Sequence, residues 1–161
     1  MNIKSHKWSA RFLKLALEIS SWSKDTSTKV GAVIMDKNGE PVSWGYNGMP
    51  PGVDDTIAER MERPVKYCYM EHAERNAIYQ ASKKMNKGHI FITHPPCTDC
   101  ARGIIKKKLK RVIVDGANGI NSEFGARYAD SFKHTMIMFE EAGVEYVEID
   151  LTQDYENDEN N

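Results

Sequence analysis

From residue 73 to residue 149 the apolar residues switch between two periods, and that alternation limits the fold more than any other feature. Ala73, Ala77, Ile78 and Ala81 recur at helical spacing, and His89 to Thr93, with Ile90 to Ile92 apolar, reads as a strand. Ala101, Ile104, Ile105 and Leu109 return to helical spacing, and Arg111 to Asp115 reads as another strand. Phe132, Met136 and Phe139 predict a last long helix stopped by Gly143 as its C-terminal cap, followed by a strand from Val144 to Ile149. Strand–helix–strand units join by right-handed crossovers, so these later strands should pair in parallel.

Upstream the pattern differs. Trp8, Phe12, Leu15, Ala16 and Ile19 predict an amphipathic helix capped by Ser5 and ending near Ser23. "KVGAVIMD" and "PVSWGYN" read as two strands joined through Asn38-Gly39, a strong hairpin signal. Hairpin and crossovers together predict an α/β chain with a mixed five-stranded sheet and helices on both faces. Residues 47 to 66 hold three prolines and two glycines without an apolar period, which predicts a long loop of the kind that often carries function. The 161 residues suit one domain, placed here at 1–150. Residues 151–161 end in "DYENDENN" and are expected to be an acidic, disordered tail.

Composition excludes several classes. The formal net charge is -1, so the chain has no global attraction for polyanions and nucleic acid is not an expected partner. Apolar runs such as Val30 to Met35 are too short to span a bilayer, and "MNIKSHKWSARFLK" lacks the apolar core of a secretory signal. Three cysteines make a poor disulfide framework and suit a reducing interior, so a cytoplasmic location is expected.

The chemistry is concentrated in two short segments. Cys97 and Cys100 could hold a metal, act as a dithiol redox pair, or simply fill the start of a helix. His72, in "MEHAERNAI", shifts the balance, because one imidazole and two thiolates make a three-donor zinc set with one corner open for water. All three would sit at helix N-termini, where exposed N–H groups favour thiolate over thiol. Glu74 is two residues from His72, more than half a helical turn, so it is badly aimed to be a fourth ligand. A carboxylate there remains close enough to take a proton from water at the metal and pass it to a substrate nitrogen.

His72-Ala73-Glu74 followed by Pro96-Cys97-Thr98-Asp99-Cys100 resembles the H-x-E and P-C-x-x-C signature of the zinc-dependent cytidine and deoxycytidylate deaminase superfamily. The wider match is to deoxycytidylate deaminases. "STKVGAVIMDKNGEPVSWGYNGMPPGVDD" is similar to their N-terminal hairpin, "HAERNAI" to their usual H-A-E-x-N-A-I, and "FEEAGVEYVEI" to their closing helix and strand. The resemblance runs from about Trp8 to Ile149 and implies a three-layer α/β/α cytidine deaminase-like fold. It implies zinc on His72, Cys97 and Cys100, with Glu74 as the catalytic proton shuttle. Hydroxide generated at zinc would attack C4 of cytosine and ammonia would leave, most simply converting dCMP to dUMP. The resemblance also implies Asn47 at the nucleotide pocket, Ala73 as a backbone contact to the base, and Lys29 near the phosphate. Many members are homo-oligomers, up to hexamers, that respond to dCTP as activator and dTTP as inhibitor. Arg75 and His94 depart from the usual pattern, and the segment "DGANGINSEFGARYADSFKH" is longer than the family leads one to expect.

Other residues carry a plainer reading beside a functional one. Cys68 is expected to be a buried small hydrophobe. His94 could line the pocket or cap its strand, and Asn47 could be ordinary turn chemistry. Arg60, Arg63 and Lys66 suit phosphate, although loops are polar in any case. The run Lys106, Lys107, Lys108, Lys110 and Arg111 is accounted for by a helix C-terminus and solvent. Competing functions are a deaminase of another nucleoside, nucleotide or tRNA adenosine, a dithiol redox protein, and a non-catalytic zinc module.

Overall fold

In the computed structural model, residues 2–82 and 84–153 are described. The expected tail therefore lies, from residue 154 onward, outside the described residues. Helix α1 (His6–Ser20) begins at Ser5, whose hydroxyl accepts from the Trp8 N–H. It stops three residues earlier than the apolar period suggests, because Ser21, Trp22 and Ser23 turn back on α1 carbonyls. Strands β1 (Gly31–Met35) and β2 (Pro41–Tyr46) form the hairpin, with Gly39 at a φ of 86° in the turn. The chain then continues through α2 (Lys66–Tyr69), α3 (Ala73–Gln80), β3 (His89–Ile92), α4 (Thr98–Lys106) and β4 (Arg111–Asp115). Helices α5 (Glu123–Arg127) and α6 (Ala129–Ala142) precede β5 (Glu145–Ile149). Gly143 takes the left-handed conformation that ends α6.

The sheet order is β2-β1-β3-β4-β5. β1 is antiparallel to both β2 and β3, whereas β3, β4 and β5 are parallel, which is the mixed sheet expected. Alternation along each strand divides the core in two. Ala32, Ile34, Ile90, Ile92, Val112 and Val114 face one way, against α3, α4 and α6. Val33, Met35, Phe91 and Ile113 face the other way, against Leu13, Ala16 and Ile19 of α1. β1, β3 and β4 are buried along their whole length, which calls for apolar residues on both faces, and the polar exceptions, His89, Arg111 and Asp115, fall at strand ends. The result is three layers, helix on sheet on helix.

Two glycines set how closely the layers approach. A Cβ on Gly31 would stand 2.0 Å from the Ala16 carbonyl oxygen, and one on Gly45 would stand 2.5 Å from both the Ala73 oxygen and the Ala77 nitrogen. Only hydrogen fits at either place, so α1 rests on β1 and α3 on β2 backbone to backbone. The long loop holds more structure than its composition suggests, with a 3-10 turn at Ala58–Met61 leading toward α2. No helix among the described residues is long and apolar enough to cross a membrane.

Candidate metal centre and active-site pocket

α3 and α4 start side by side, where the sheet changes from antiparallel to parallel pairing. His72 is the N-cap residue of α3 and Cys97 that of α4; both have extended backbone and neither side chain caps its helix. Both are therefore free to turn toward a common point. Cys100 follows three residues into α4, on the same side of the helix as Cys97. Nδ1 of His72 lies 3.5 Å from Sγ of Cys97 and 3.5 Å from Sγ of Cys100. The three donor atoms all lie within 4.8 Å of one another. Tetrahedral zinc, with Zn–N of about 2.0–2.1 Å and Zn–S of about 2.3 Å, separates nitrogen from sulfur by about 3.6 Å. The donor set and its spacing fit zinc, which His72, Cys97 and Cys100 would hold beside the pocket.

The charges within the cluster point the same way. Its contact with Cys97 raises His72 to about 9, mainly through the hydrogen bond between them. The hydrogen bond with Cys100 lowers Cys97 to about 4, helped by His72 and opposed by burial. Cys100 is pushed well above the ordinary thiol range by its bond to Cys97 and by burial. One thiolate is thus favoured already, and a divalent cation supplies the charge that stabilises a second.

Glu74 is buried in the first turn of α3 and lines the pocket without belonging to the three-donor group. Burial pushes its carboxyl above the usual range. Arg75 does not line the pocket. Its guanidinium bonds Glu71 (Nε to Oε1, 2.6 Å) and stands 3.7 Å from Asp99. Glu71 also accepts from the His72 N–H at 2.8 Å, and Asp99 pairs with Arg102. Arg75 therefore ties together the starts of the two helices that carry the cysteines and the histidine.

The pocket beside the cluster is a cavity of about 150 Å³. Asn47, Ala73 and Glu74 line it. Asn47 is held by the protein itself: its Nδ2 donates to Oδ2 of Asp25 (3.1 Å) and to the Thr28 carbonyl (2.9 Å), while its Oδ1 accepts from the Val30 N–H (2.8 Å). That leaves one lone pair on Oδ1 for anything in the pocket. Asp25 in turn receives two bonds from Lys66 Nζ, at 2.6 and 2.9 Å, in a pair only 3% and 5% exposed. Ser27 takes a third bond from the same ammonium at 2.6 Å.

His94 lines the pocket and accepts or donates at Nδ1 toward Thr93 Oγ1, 3.0 Å away. Burial lowers its pKa to about 4, so it is neutral at pH 7. Phe124 packs edge-on against it with ring centroids 4.6 Å apart, and Tyr128 and Phe132 continue the aromatic wall. The wall comes from the segment between β4 and the first turns of α6. Its signal was Phe124, Tyr128 and Phe132 at spacings of four, a stripe that α5 and α6 turn toward the pocket. Asp25 had no such local signal for a place at the pocket, since Asn47 and Lys66, which it joins there, are 22 and 41 residues away.

Two expectations are corrected. Lys29 is exposed, with its ammonium 3.4 Å from the Ser21 carbonyl, and it does not line the pocket. Its neighbours Thr28 and Val30 do, because alternate residues of an extended chain face opposite ways. Cys68 is exposed rather than buried, because α2 is a single turn on the surface. Of the loop cations, Arg63 and Lys66 line the pocket, while Arg60 lies over the Tyr69 ring. Arg63 has no ion pair or hydrogen bond among the described residues. Lys106, Lys107, Lys108 and Lys110 are exposed, as a solvated helix terminus should be, but Arg111, read with them as solvated, is buried at the start of β4.

Residues 6–115 match the family described as the cytidine and deoxycytidylate deaminase zinc-binding region. An uncharacterized deaminase of Aliivibrio fischeri is 41% identical over 139 residues, covering 86% of this chain and 91% of that protein. Deoxycytidylate deaminase of Mus musculus is 32% identical over 148 residues, covering 87% of this chain and 78% of its own. The crystal structure of dCMP deaminase from the cyanophage S-TIM5, in complex with dCMP and dUMP, superposes with a TM-score of 0.68 at 27% identity, covering 86% of this chain and 94% of that one.

Proposed function

Since the chain belongs to the cytidine and deoxycytidylate deaminase family, whose members are zinc-dependent hydrolases, we propose that it converts dCMP and water to dUMP and ammonia. The observation that carries the reading is the tetrahedrally spaced His72, Cys97 and Cys100 cluster opening on the pocket that Glu74 lines. When bound there, zinc supplies Lewis acidity that brings the pKa of water down toward about 7.

The chain's own residues do the rest. His72, Cys97 and Cys100 hold the metal. Glu74 accepts a proton as water adds at C4 of the cytosine ring, and gives it to the ring nitrogen beside that carbon. It then carries a second proton to the departing amino group, so that ammonia leaves and uracil remains. Burial suits Glu74 to both roles, because a carboxyl raised above its ordinary range is a better base and releases its proton less far from neutral pH. Asn47 presents its spare oxygen lone pair to the sugar, the Ala73 backbone contacts the base, and His94 with Phe124 closes over the ring. Arg63 receives the phosphate: Lys66 is neutralised by Asp25, which leaves Arg63 as the pocket cation without a partner among the described residues. The deoxycytidylate deaminase relatives and the cyanophage complex support dCMP as the substrate. The same reading extends to a cytoplasmic homo-oligomer, dimer or hexamer, with dCTP and dTTP as effectors.

The test is ammonia release from dCMP, dCTP, cytidine and a tRNA anticodon stem, with zinc content measured on the same sample and dCTP or dTTP added in parallel. Turnover of dCMP is expected. Glu74→Gln should lower it by at least about 10²-fold, the scale of general acid–base catalysis, while zinc stays stoichiometric. Ammonia from the RNA alone would overturn the substrate. Full activity in Glu74→Gln would overturn the shuttle.

A further inference from the structure

At the far end of the sheet from the metal cluster lies a second cavity, of about 360 Å³, that the deaminase reading does not use. We propose that this cavity binds a multiply charged, phosphate-bearing anion through Lys4, Lys37, Lys87, Lys110 and Arg111.

The cations converge on it from separate parts of the chain. Lys4 precedes α1, Lys37 is in the β1–β2 turn, Lys87 precedes β3, and Lys110 and Arg111 lead into β4. Glu145 is the single acidic residue lining the cavity. In a chain whose net charge is -1, five positive charges against one negative is a local concentration of charge, and like charges held together repel unless an anion relieves them. Lys4, Lys37 and Lys87 make no side-chain ion pair among the described residues. Lys110 reaches only the Ala142 and Gly143 carbonyls, at 3.5 and 3.4 Å.

The floor of the cavity is the second, independent observation. His89, Arg111 and Glu145 are direct cross-strand neighbours, the first residues of β3, β4 and β5, in a single row across one end of the sheet. His89 is 3% exposed and its Nδ1 has no hydrogen-bond partner. Arg111 is 7% exposed; its Nη1 donates to the Lys4 carbonyl at 3.2 Å. Its Nε stands 3.1 Å from Glu145 Oε2 but is not aligned to donate to it. A guanidinium is rarely buried beside a histidine with so little to bond, and an unsatisfied buried donor is costly. Burial, with Arg111 and Lys4 close by, lowers His89 to about 4, although Glu145 and Asp36 act against this. The imidazole is therefore neutral at pH 7, and the charge an anion meets is that of the lysines and the arginine. The volume suits a chain of several phosphates better than one phosphate, and falls in the usual range for ligand cavities. Guanidinium and ammonium groups together favour phosphate oxygens over other anions.

The experiment titrates the zinc-loaded protein with sodium tripolyphosphate and, separately, with ATP, by calorimetry in about 0.15 M salt, where weak surface attraction is screened. One equivalent of tripolyphosphate should bind. Lys4→Gln/Lys37→Gln/Lys87→Gln, three exposed positions, should bind at least tenfold more weakly while deaminating as before. The Lys→Arg triple should restore binding, which separates lost charge from lost folding. His89 ring signals should shift on titration, which places the anion at this end. Equal affinity for tripolyphosphate and ATP would mean that phosphate alone is read; tighter ATP would mean a nucleotide. The proposal is overturned if no binding is measured, or if binding survives the glutamine triple and disappears in Arg63→Gln, which would put the anion in the deaminase pocket. Neither result bears on dCMP turnover, so this proposal and the deaminase reading fail separately.

Discussion

Asn47, Asp25 and Lys66 make the point that a pocket residue is only as well placed as what holds it. Asp25 accepts from Lys66 and Asn47 at once, so a buried ion pair orients the amide that faces the pocket. Burial alone would raise the Asp25 carboxyl, but the bonds from Lys66, Ser27 and Thr28 overcome it and hold it below the usual range. Removing either partner strands the other charge, so Asp25→Asn or Lys66→Met should each cost about 3–5 kcal/mol. The double variant should cost much less than their sum, because no charge is left unpaired. Urea unfolding of the four proteins at pH 7 measures this coupling. The sign with pH follows from the depressed carboxyl: its stabilisation is present above about pH 4 and is lost as pH falls through the lower folded value. The gap between wild type and Asp25→Asn should therefore narrow in strongly acidic urea melts. A gap constant from pH 7 to pH 3 would mean that the pair contributes nothing. Both singles should also raise KM for dCMP more than they lower kcat, since they disturb where Asn47 points and leave Glu74 alone. His72, Glu74, Cys97 and Cys100 were readable because their spacing is local. Asp25 was not, because it meets Asn47 and Lys66 only in the folded chain.

The helices were readable from period, but the reason they approach so closely was not. α3 carries Glu74 and follows its N-cap residue His72, and it lies directly on β2 because Gly45 has no side chain. Two bonds secure that contact: Ser43 Oγ donates to the Ala77 carbonyl at 2.7 Å, and Asn76 Nδ2 to the Tyr46 carbonyl at 2.8 Å. Gly45→Ala puts a methyl group against the α3 backbone, and backbone cannot give way as a side chain can. We expect about 1–3 kcal/mol of destabilisation from the overpacking, together with weaker zinc binding as His72 moves away from the cysteines. Gly48→Ala is the control, since its Cβ would meet only the Tyr46 ring at 3.7 Å, an ordinary contact. Thermal melts and competitive chelator titrations of the two variants make the comparison, and equal zinc affinity in both would show that α3 adjusts without disturbing the cluster. α2 and α5 escaped the period for a different reason. At four and five residues they are too short to show one, and they are held by tertiary packing rather than by propensity.

At the scale of the molecule, the five strands and their order of connection could be read because β1, β3 and β4 are apolar on both faces and the helices between them are not. The position of the site follows from the same topology: α3 and α4 pack on one face of the sheet and against each other, which brings His72 to the two cysteines. What period cannot show is how strongly a metal joins those two helix starts. His72 and Cys97 are 25 residues apart along the chain, and β3 lies between them. Zinc held by both is a cross-link that exists only in the folded state, so it stabilises that state by mass action. With free zinc at about 1,000 times its Kd the stabilisation is about 4 kcal/mol. For a domain of this size, about 2–4 °C of Tm accompanies each kcal/mol, so chelation should lower Tm by about 8–16 °C. Neither hydrophobic cluster includes the cysteine pair or His72, so the stripped protein should keep its sheet and its far-ultraviolet circular dichroism below that lower Tm. Calorimetry with and without chelator, on wild type and Glu74→Gln, separates structure from chemistry. Both proteins should lose the same number of degrees, because Glu74 stands outside the three-donor group. A smaller loss in Glu74→Gln would mean that the carboxylate also holds the metal, and its role as a proton carrier would then have to be reassigned.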